Sequence, residues 1–187
     1  MVGNFDIKYI AIVGGSCAGK TTLVEELGRR GFATICEAAL VVIDELTIEL
    51  GMSGIATWRE SHFDTLQWMI GRKQVELEDL VVPKKGDWVF CDGGLLDPVG
   101  YCMYFGVTPP SDLDEIVSIH RRYFRVFVLE SLSAFVPRLK AGRTSDRHTS
   151  FEIGILLEDL YHQRGYEVIK VPEMSIAMRA DYILEQL

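Results

Sequence analysis

A glycine-rich segment near the N-terminus restricts this chain to few folds. Residues 14–21 have the sequence GGSCAGKT and fit the pattern G-x-x-x-x-G-K-[ST] at every fixed position. The apolar run YIAIV at 9–13 precedes the segment, and residues 20–30 follow it with the amphipathic spacing of a helix. The order of apolar strand, glycine turn and helix therefore predicts a strand–loop–helix unit of the P-loop type.

This segment has the chemistry of a phosphate-binding loop. Its glycines let backbone N–H groups turn inward around a phosphate, and the helix N-terminus adds a favourable dipole. Lys20 can reach the β- and γ-phosphates of a nucleotide, and the Thr21 hydroxyl can bind Mg²⁺. A chance match is the alternative, and the strand–loop–helix setting argues against it. The predicted site for ATP or GTP with Mg²⁺ consists of Gly14, Gly15, Ser16, Cys17, Ala18, Gly19, Lys20, Thr21 and Thr22.

Strands and helices alternate along the chain, which predicts a parallel sheet covered by helices on both faces. The predicted strands are 9–13, 32–36, 88–91, 124–129 and 166–171. Two glycines and a serine predict a loop at 51–57, between helices at 38–50 and 59–81. Because no repeat or linker interrupts the pattern, residues 1–187 are expected to form one domain. The predicted fold class is α/β, a three-layer αβα P-loop NTPase with a five-stranded parallel sheet and a lid segment.

Composition argues against several function classes. The 187 residues carry a formal net charge of −8, which argues against binding duplex nucleic acid through its phosphates. No stretch approaches the roughly 20 apolar residues needed to cross a bilayer. The four cysteines form no CxxC pair, which favours reduced thiols in the cytosol and leaves a redox-sensitive Cys17 as the alternative. The oligomeric state is open.

Acidic residues follow two of the predicted strands. Glu37 comes after 32–36, and Asp92 comes after 88–91. Ligands of parallel sheets bind beyond the carboxyl ends of the strands, so both side chains are expected beside the phosphate loop. Asp92 is predicted to hold Mg²⁺, with a capping role for the following turn as the alternative. Glu37 is predicted to accept a proton from an acceptor hydroxyl, and the alternative is an acidic residue favoured only by the helix dipole.

A basic segment follows the fourth predicted strand in an otherwise acidic chain. Residues 131–147 are expected to form a lid that closes over the nucleotide and stabilises the charge of the transferring phosphoryl group. Arg143 is the principal candidate for this role and Arg147 is the second. A solvated polar loop is the alternative.

Two glutamines interrupt an apolar stripe in the long helix predicted at 59–81. Gln67 and Gln74 share one helical face with apolar residues such as Ile70. A buried amide must find hydrogen-bond partners, and either a substrate base or sugar or neighbouring protein groups could supply them.

Four further segments match the motifs of one family. They are GFATICEAA at 31–39, DGGLLD at 92–97, GRT at 142–144 and RGYEVIKVP at 164–172. With these segments and the phosphate loop, the chain resembles a P-loop, AAA-like ATPase family that includes ribosylnicotinamide kinase domains. The resemblance covers essentially the whole chain and implies a nucleoside- or nucleotide-kinase-like fold. In related deoxynucleoside kinases the Glu after the second strand acts as base, which implies that role for Glu37.

The chain departs from the family pattern at Gly93, where the family usually has Arg, so a cation expected to face phosphate or substrate is missing. The leading hypothesis is an enzyme that phosphorylates a small molecule, such as a nucleoside or nucleotide, from ATP or GTP with Mg²⁺. A regulatory nucleotide-binding protein with slow hydrolysis is the alternative, and Gly93 argues for it. Hydrolysis as the main activity is less favoured because no water-positioning Gln follows Asp92. The acceptor and the preferred nucleotide are not identified by the sequence.

Overall fold

The computed structural model describes residues 7–120, 122–133 and 146–187. Five strands in these ranges form one parallel sheet with the order β2-β3-β1-β4-β5. The strands are β1 (Lys8–Val13), β2 (Ala33–Ile35), β3 (Trp88–Asp92), β4 (Tyr123–Leu129) and β5 (Val168–Val171). The five-stranded parallel sheet predicted from the alternating pattern is confirmed.

Helices cover both faces of the sheet. They are α1 (Lys20–Arg29), α2 (Ala38–Ser61), α3 (Phe63–Leu80), α4 (Asp97–Tyr104), α5 (Ser111–Ile119), α6 (Arg147–Gln163) and α7 (Ile176–Glu185). Successive residues of a strand point to opposite faces. Ile10 and Ile12 of β1 therefore pack in one core cluster with residues of α1 and α7. Ala11 and Val13 pack in another cluster with residues of α4, α5 and α6. The predicted αβα layering is confirmed.

The prediction of a loop at 51–57 is wrong. α2 continues through this segment and bends at Gly51, whose φ of 75° and ψ of 163° leave the helical region. Ile55, beyond the bend, is buried in an apolar cluster with Leu66 of α3. This packing holds the second half of α2 in helical form and overrides the weak helix propensity of glycine. α3 consequently begins at Phe63, later than predicted.

None of the helices in the described ranges is long and apolar enough to cross a membrane. All four cysteines are free. Burial raises the pKa of the Cys91 thiol well above its usual range and that of Cys102 to about 11. Both thiols are therefore protonated near neutral pH. The reduced state of the thiols stays a prediction. The cytosolic location stays a prediction.

Candidate active site

The phosphate loop forms the turn between β1 and α1. Gly14 and Gly19, the two fixed glycines of the motif, have φ of 142° and 92°, a region that side chains disfavour. Cys17 also has a positive φ, of 61°. The backbone of the segment thus adopts the glycine-dependent turn that the motif predicts, at the carboxyl end of the strand β1.

A close contact joins the phosphate loop to α6. A Cβ atom added at Gly15 would overlap the carbonyl oxygen of Ser150. The hydroxyl of Ser150, which is 1% exposed, donates a 2.5 Å hydrogen bond to the carbonyl of Ser16. Gly15 is a variable position of the motif, so the motif does not account for this glycine. The approach of α6 does.

Lys20 is the first residue of α1, and its side chain lies over the phosphate loop. Nζ donates 2.9 Å hydrogen bonds to the carbonyl oxygens of both Gly14 and Gly15. The ammonium group also lines the large cavity described below. Its charge is therefore held at the loop, where the phosphates of a nucleotide would meet it.

Asp92 is the last residue of β3 and lies beside the phosphate loop. It pairs in register with Ile12 of β1, and the following N–H, of Gly93, donates a 2.9 Å hydrogen bond to the carbonyl of Ile12. Asp92 is only 2% exposed and lines the same cavity as Lys20. Adjacent parallel strands thus place Asp92 and the loop at one edge of the sheet, as predicted.

Glu37 occupies the N-cap position of α2, directly after the short strand β2. Its side chain makes no capping hydrogen bond with the helix. Instead it lines the cavity that also contains Lys20 and Asp92. Glu37 therefore lies at a helix N-terminus and also in the cavity. Its position is compatible with both hypotheses, a general base and an acidic residue favoured only by the helix dipole.

A cavity of about 530 Å³ extends from the phosphate loop to the space between α2, α3 and α4. Its outer part is lined by aromatic and apolar side chains, which are Ile43, Phe63, Leu66, Ile70, Tyr101 and Phe105. Arg59 and Glu60, from the half of α2 that lies beyond Gly51, add charge to its wall. The volume and lining are those of a small-molecule site.

A third carboxylate lies in this cavity. Asp97, the first residue of α4, accepts a 2.9 Å hydrogen bond from the hydroxyl of Tyr161. Burial raises the pKa of Asp97 to about 7, and the ammonium of Lys20 opposes this rise. A Cβ atom at Gly93 would lie 3.2 Å from Oδ2 of Asp97. The absence of a side chain at Gly93 therefore leaves Lys20 as the main cation acting on Asp97.

Buried tyrosines hold the segment that connects β3 to α4. The backbone N–H of Leu95 donates a 2.9 Å hydrogen bond to the hydroxyl of Tyr123, which donates a 2.7 Å bond to Oε1 of Glu78. Glu78 is fully buried, and burial raises the pKa of its carboxyl. Gln74 donates a 2.9 Å bond to the same oxygen. The position of the segment after Asp92 thus depends on α3 and β4.

Both glutamines of α3 line the cavity and are buried, and they differ in their hydrogen bonds. Gln74 finds its partner in Glu78, so the alternative that neighbouring protein groups satisfy the buried amide is confirmed for it. Gln67 is 5% exposed and lines the cavity. A ligand that fills the cavity would contact its amide.

The basic segment predicted as a lid lies largely outside the described residues, which include only 131–133 and 146–147 of it. Arg143 falls in the part that is not described. Arg147 is the first residue of α6, is exposed, and is not among the residues that line the cavity. Its positive charge lowers the pKa of Glu173, a minor effect beside the hydrogen bonds from Ser133.

Of the two predicted Mg²⁺ ligands, Asp92 lines the cavity and Thr21 is not among its lining residues. Thr21 and Asp92 supply hard oxygen atoms, which this cation prefers. Within the described ranges, no group of three or more His, Cys, Asp or Glu side chains could hold a metal ion. Mg²⁺ commonly needs only one or two protein groups, because substrate phosphates and water complete its coordination.

Three residues were not predicted from the sequence: Asp97, which lines the cavity, and Glu78 and Tyr123, which hold the segment before α4. Asp97 had one signal, its position at the end of the DGGLLD segment. Glu78 and Tyr123 had none, because an acidic residue on a helix and a tyrosine in a strand become partners only when α3 packs beside β4.

The site lies within a family match. Residues 9–179 match the model of a family described as an AAA domain, and this range contains every predicted site residue. No curated protein matches the chain in sequence.

Several solved structures share the fold. Thymidylate kinase from Ehrlichia chaffeensis is 13% identical, with a TM-score of 0.59 over 96% of this chain and 97% of that one. Deoxyadenosine kinase from M. mycoides, with bound dCTP, is 14% identical, with a TM-score of 0.61 over 95% and 97%. NadR protein in complex with NAD and AMP-PNP is 14% identical, with a TM-score of 0.60 over 96% of this chain and 49% of that one. The chain therefore spans about half of the NadR chain.

Proposed function

The chain belongs to the AAA-domain family that matches residues 9–179, and we propose that it is a kinase that phosphorylates a hydroxyl group of a small molecule from ATP or GTP. The P-loop kinase fold and the phosphate loop support nucleotide binding. We place the acceptor in the class of nucleosides and nucleotides. Residues 1–187 would act as one catalytic domain.

One observation carries this proposal. The cavity of about 530 Å³ joins Lys20 and Asp92 at one end to an aromatic pocket at the other, and Glu37 lies on its wall. The aromatic part of the cavity provides room for an acceptor next to the phosphates. The space is suited to a planar base stacked near Phe63 and Tyr101, with the Gln67 amide as a hydrogen-bond partner.

The proposed reaction uses the residues of this cavity. Glu37 accepts the proton of the acceptor hydroxyl as the oxygen attacks the γ-phosphorus, and the bond from that phosphorus to the β–γ bridging oxygen breaks. Lys20 stabilises the charge on the phosphoryl oxygens. Thr21 and Asp92 would hold Mg²⁺, which would supply further neutralisation of that charge.

The basic segment is proposed to complete the site. Arg143 would close over the transferring phosphoryl group, since its planar fork can hold two oxygens at once. Arg147, outside the cavity at the start of α6, would contribute to the same positive field. Hydrogen exchange across residues 131–147 tests the closure, because a nonhydrolysable nucleotide with acceptor should slow exchange there. Equal exchange in both states, with full activity in Arg143→Ala, would leave the segment as a solvated loop.

A regulatory protein with slow hydrolysis is the second candidate. Gly93 has a φ of 98°, so the backbone favours glycine where the family usually has the cationic Arg. A screen of nucleosides and nucleotides with labelled ATP and GTP distinguishes the two functions. The kinase proposal expects a labelled product whose formation is lost in Lys20→Ala. Release of phosphate alone, at the same rate with and without every acceptor, would favour the regulatory protein.

A further inference from the structure

Arg179 of α7 is fully buried beneath the phosphate loop. Its guanidinium group donates three hydrogen bonds, each from a different nitrogen to a backbone carbonyl. Nη1 lies 2.7 Å from the oxygen of Ala18, Nη2 3.0 Å from that of Glu130, and Nε 3.0 Å from that of Pro172. The negative charges of Glu173 and Glu130 also act on this group and oppose the lowering of its pKa by burial.

Burial of a guanidinium is costly unless hydrogen bonds replace its water. Three neutral backbone carbonyls supply that replacement, and all three lie outside α7. They come from the phosphate loop, from the residue after β4 and from the residue after β5. Arg179 therefore connects three segments at the carboxyl edge of the sheet, where the proposed site lies.

The bond to Ala18 determines the direction of a phosphate-binding group. The carbonyl of Ala18 and the N–H of Gly19 belong to one planar trans peptide, in which they point in opposite directions. With the carbonyl held by Nη1, the Gly19 N–H points away from Arg179. A Cβ atom at Gly19 would lie 3.4 Å from Nη1, so the guanidinium lies directly against this peptide.

The bond to Glu130 joins the loop to the segment that leads to residues 131–147. Ser133 is one of these residues. Its N–H and hydroxyl donate hydrogen bonds of 2.9 and 2.7 Å to Oε1 of Glu173, the residue after Pro172. The planar fork of arginine can reach all three carbonyls, whereas the single ammonium of a lysine cannot.

We propose that Arg179 is a positioning residue of the triphosphate site, which orients the Gly19 N–H toward the phosphates and connects the phosphate loop to the start of the basic segment. This inference rests on the proposed nucleotide binding. It does not involve the acceptor. Arg179 acts through the Ala18–Gly19 peptide and touches no substrate.

Calorimetric titration with Mg²⁺ and ATP, GTP or inorganic tripolyphosphate tests this role. Arg179→Lys should weaken binding of all three ligands by a similar factor, about tenfold or more, because the altered group meets phosphate and not the base. Arg30→Lys is the matched control. Arg30 also bonds to α7, at Asp181 and the carbonyl of Ala177, but does not contact the phosphate loop. Arg30→Lys should bind the three ligands as wild type does.

The outcomes separate the two proposals. Wild-type protein that binds none of the triphosphates would contradict the proposed function. Wild-type binding with unchanged affinity in folded Arg179→Lys would overturn the inference alone. If Arg179→Lys does not fold, Arg179→Gln replaces it. Loss of the fold in both variants would assign Arg179 to stability and overturn its positioning role.

Discussion

The hydroxyl of Tyr161 donates a 2.9 Å hydrogen bond to Oδ1 of Asp97, at the wall of the cavity that contains Lys20. Burial raises the pKa of Asp97 to about 7, whereas an unfolded Asp titrates at about pH 4. The native state therefore binds a proton that the unfolded state releases between these values. The contribution of protonated Asp97 to the free energy of unfolding is fully present below about pH 4 and is lost as the pH rises through about 7.

We predict that Asp97→Asn reduces the fall in the free energy of unfolding between pH 5 and 8. The amide stays neutral at every pH and can still accept the bond from Tyr161. Urea unfolding at a series of pH values measures this dependence, with Asp159→Asn, an exposed change on α6, as the control. Burial raises the pKa of Glu78 too, so part of the fall should remain. Identical pH dependence in wild type and Asp97→Asn would contradict the raised pKa.

Lys20→Ala is expected to weaken binding of Mg²⁺–ATP and Mg²⁺–GTP by about ten- to a hundredfold, because hydrogen bonds from a charged donor are worth about 1.5–3 kcal/mol. Calorimetric titration measures this change. Lys73→Ala is the control, since Lys73 pairs with Glu45 and Glu76 away from the phosphate loop. Unchanged affinity for both nucleotides in Lys20→Ala would remove the basis of the proposed site.

Glu37→Gln should lower kcat by roughly 10²- to 10⁴-fold, the usual contribution of a general base, and leave nucleotide affinity nearly unchanged. The change keeps the shape of the side chain and removes its basicity. Steady-state kinetics with the acceptor found in the screen, together with nucleotide titration, measures both quantities. Glu60→Gln, in the same cavity, is the control. Full turnover in Glu37→Gln would assign Glu37 to structure.

Gly15→Ala is expected to destabilise the protein by about 1–3 kcal/mol, because the added methyl group overlaps the backbone of α6 at Ser150. Gly28→Ala is the matched control. A Cβ there would lie 3.5 Å from Thr34, an ordinary contact, and alanine favours a helix by up to about 1 kcal/mol over glycine. Urea unfolding compares the two variants. Equal stability of both would show that α6 does not restrict the loop at Gly15.

Tyr123→Phe should cost about 1–3 kcal/mol of unfolding free energy, because it leaves the Leu95 N–H and Oε1 of Glu78 each without one bond. Tyr9→Phe, which removes a single 2.7 Å bond to the Glu78 carbonyl, should cost less. Since Leu95 follows Asp92 and Gly93, Tyr123→Phe should also lower kcat, whereas Tyr9→Phe should not. A lower stability with unchanged kcat in both variants would limit Tyr123 to the fold.

The amino-acid sequence by itself determined the sheet and the phosphate loop. Each predicted strand was marked by a local apolar run, and residues 14–21 carried a pattern whose fixed positions are also its functional ones. Glu37 and Asp92 could be placed at the site because the carboxyl ends of parallel strands share one edge. All of these signals lie within a few residues of the structure they predict.

Only the tertiary structure decided which distant groups complete the site. The helix beyond Gly51 forms because Ile55 packs on α3, although the local composition favours a loop. Burial raises the pKa of Asp97. Arg179 donates a hydrogen bond to the carbonyl of Ala18, which lies 161 residues earlier in the chain. Burial and backbone contacts of this kind depend on how helices pack against the sheet, and no pattern within one segment encodes them.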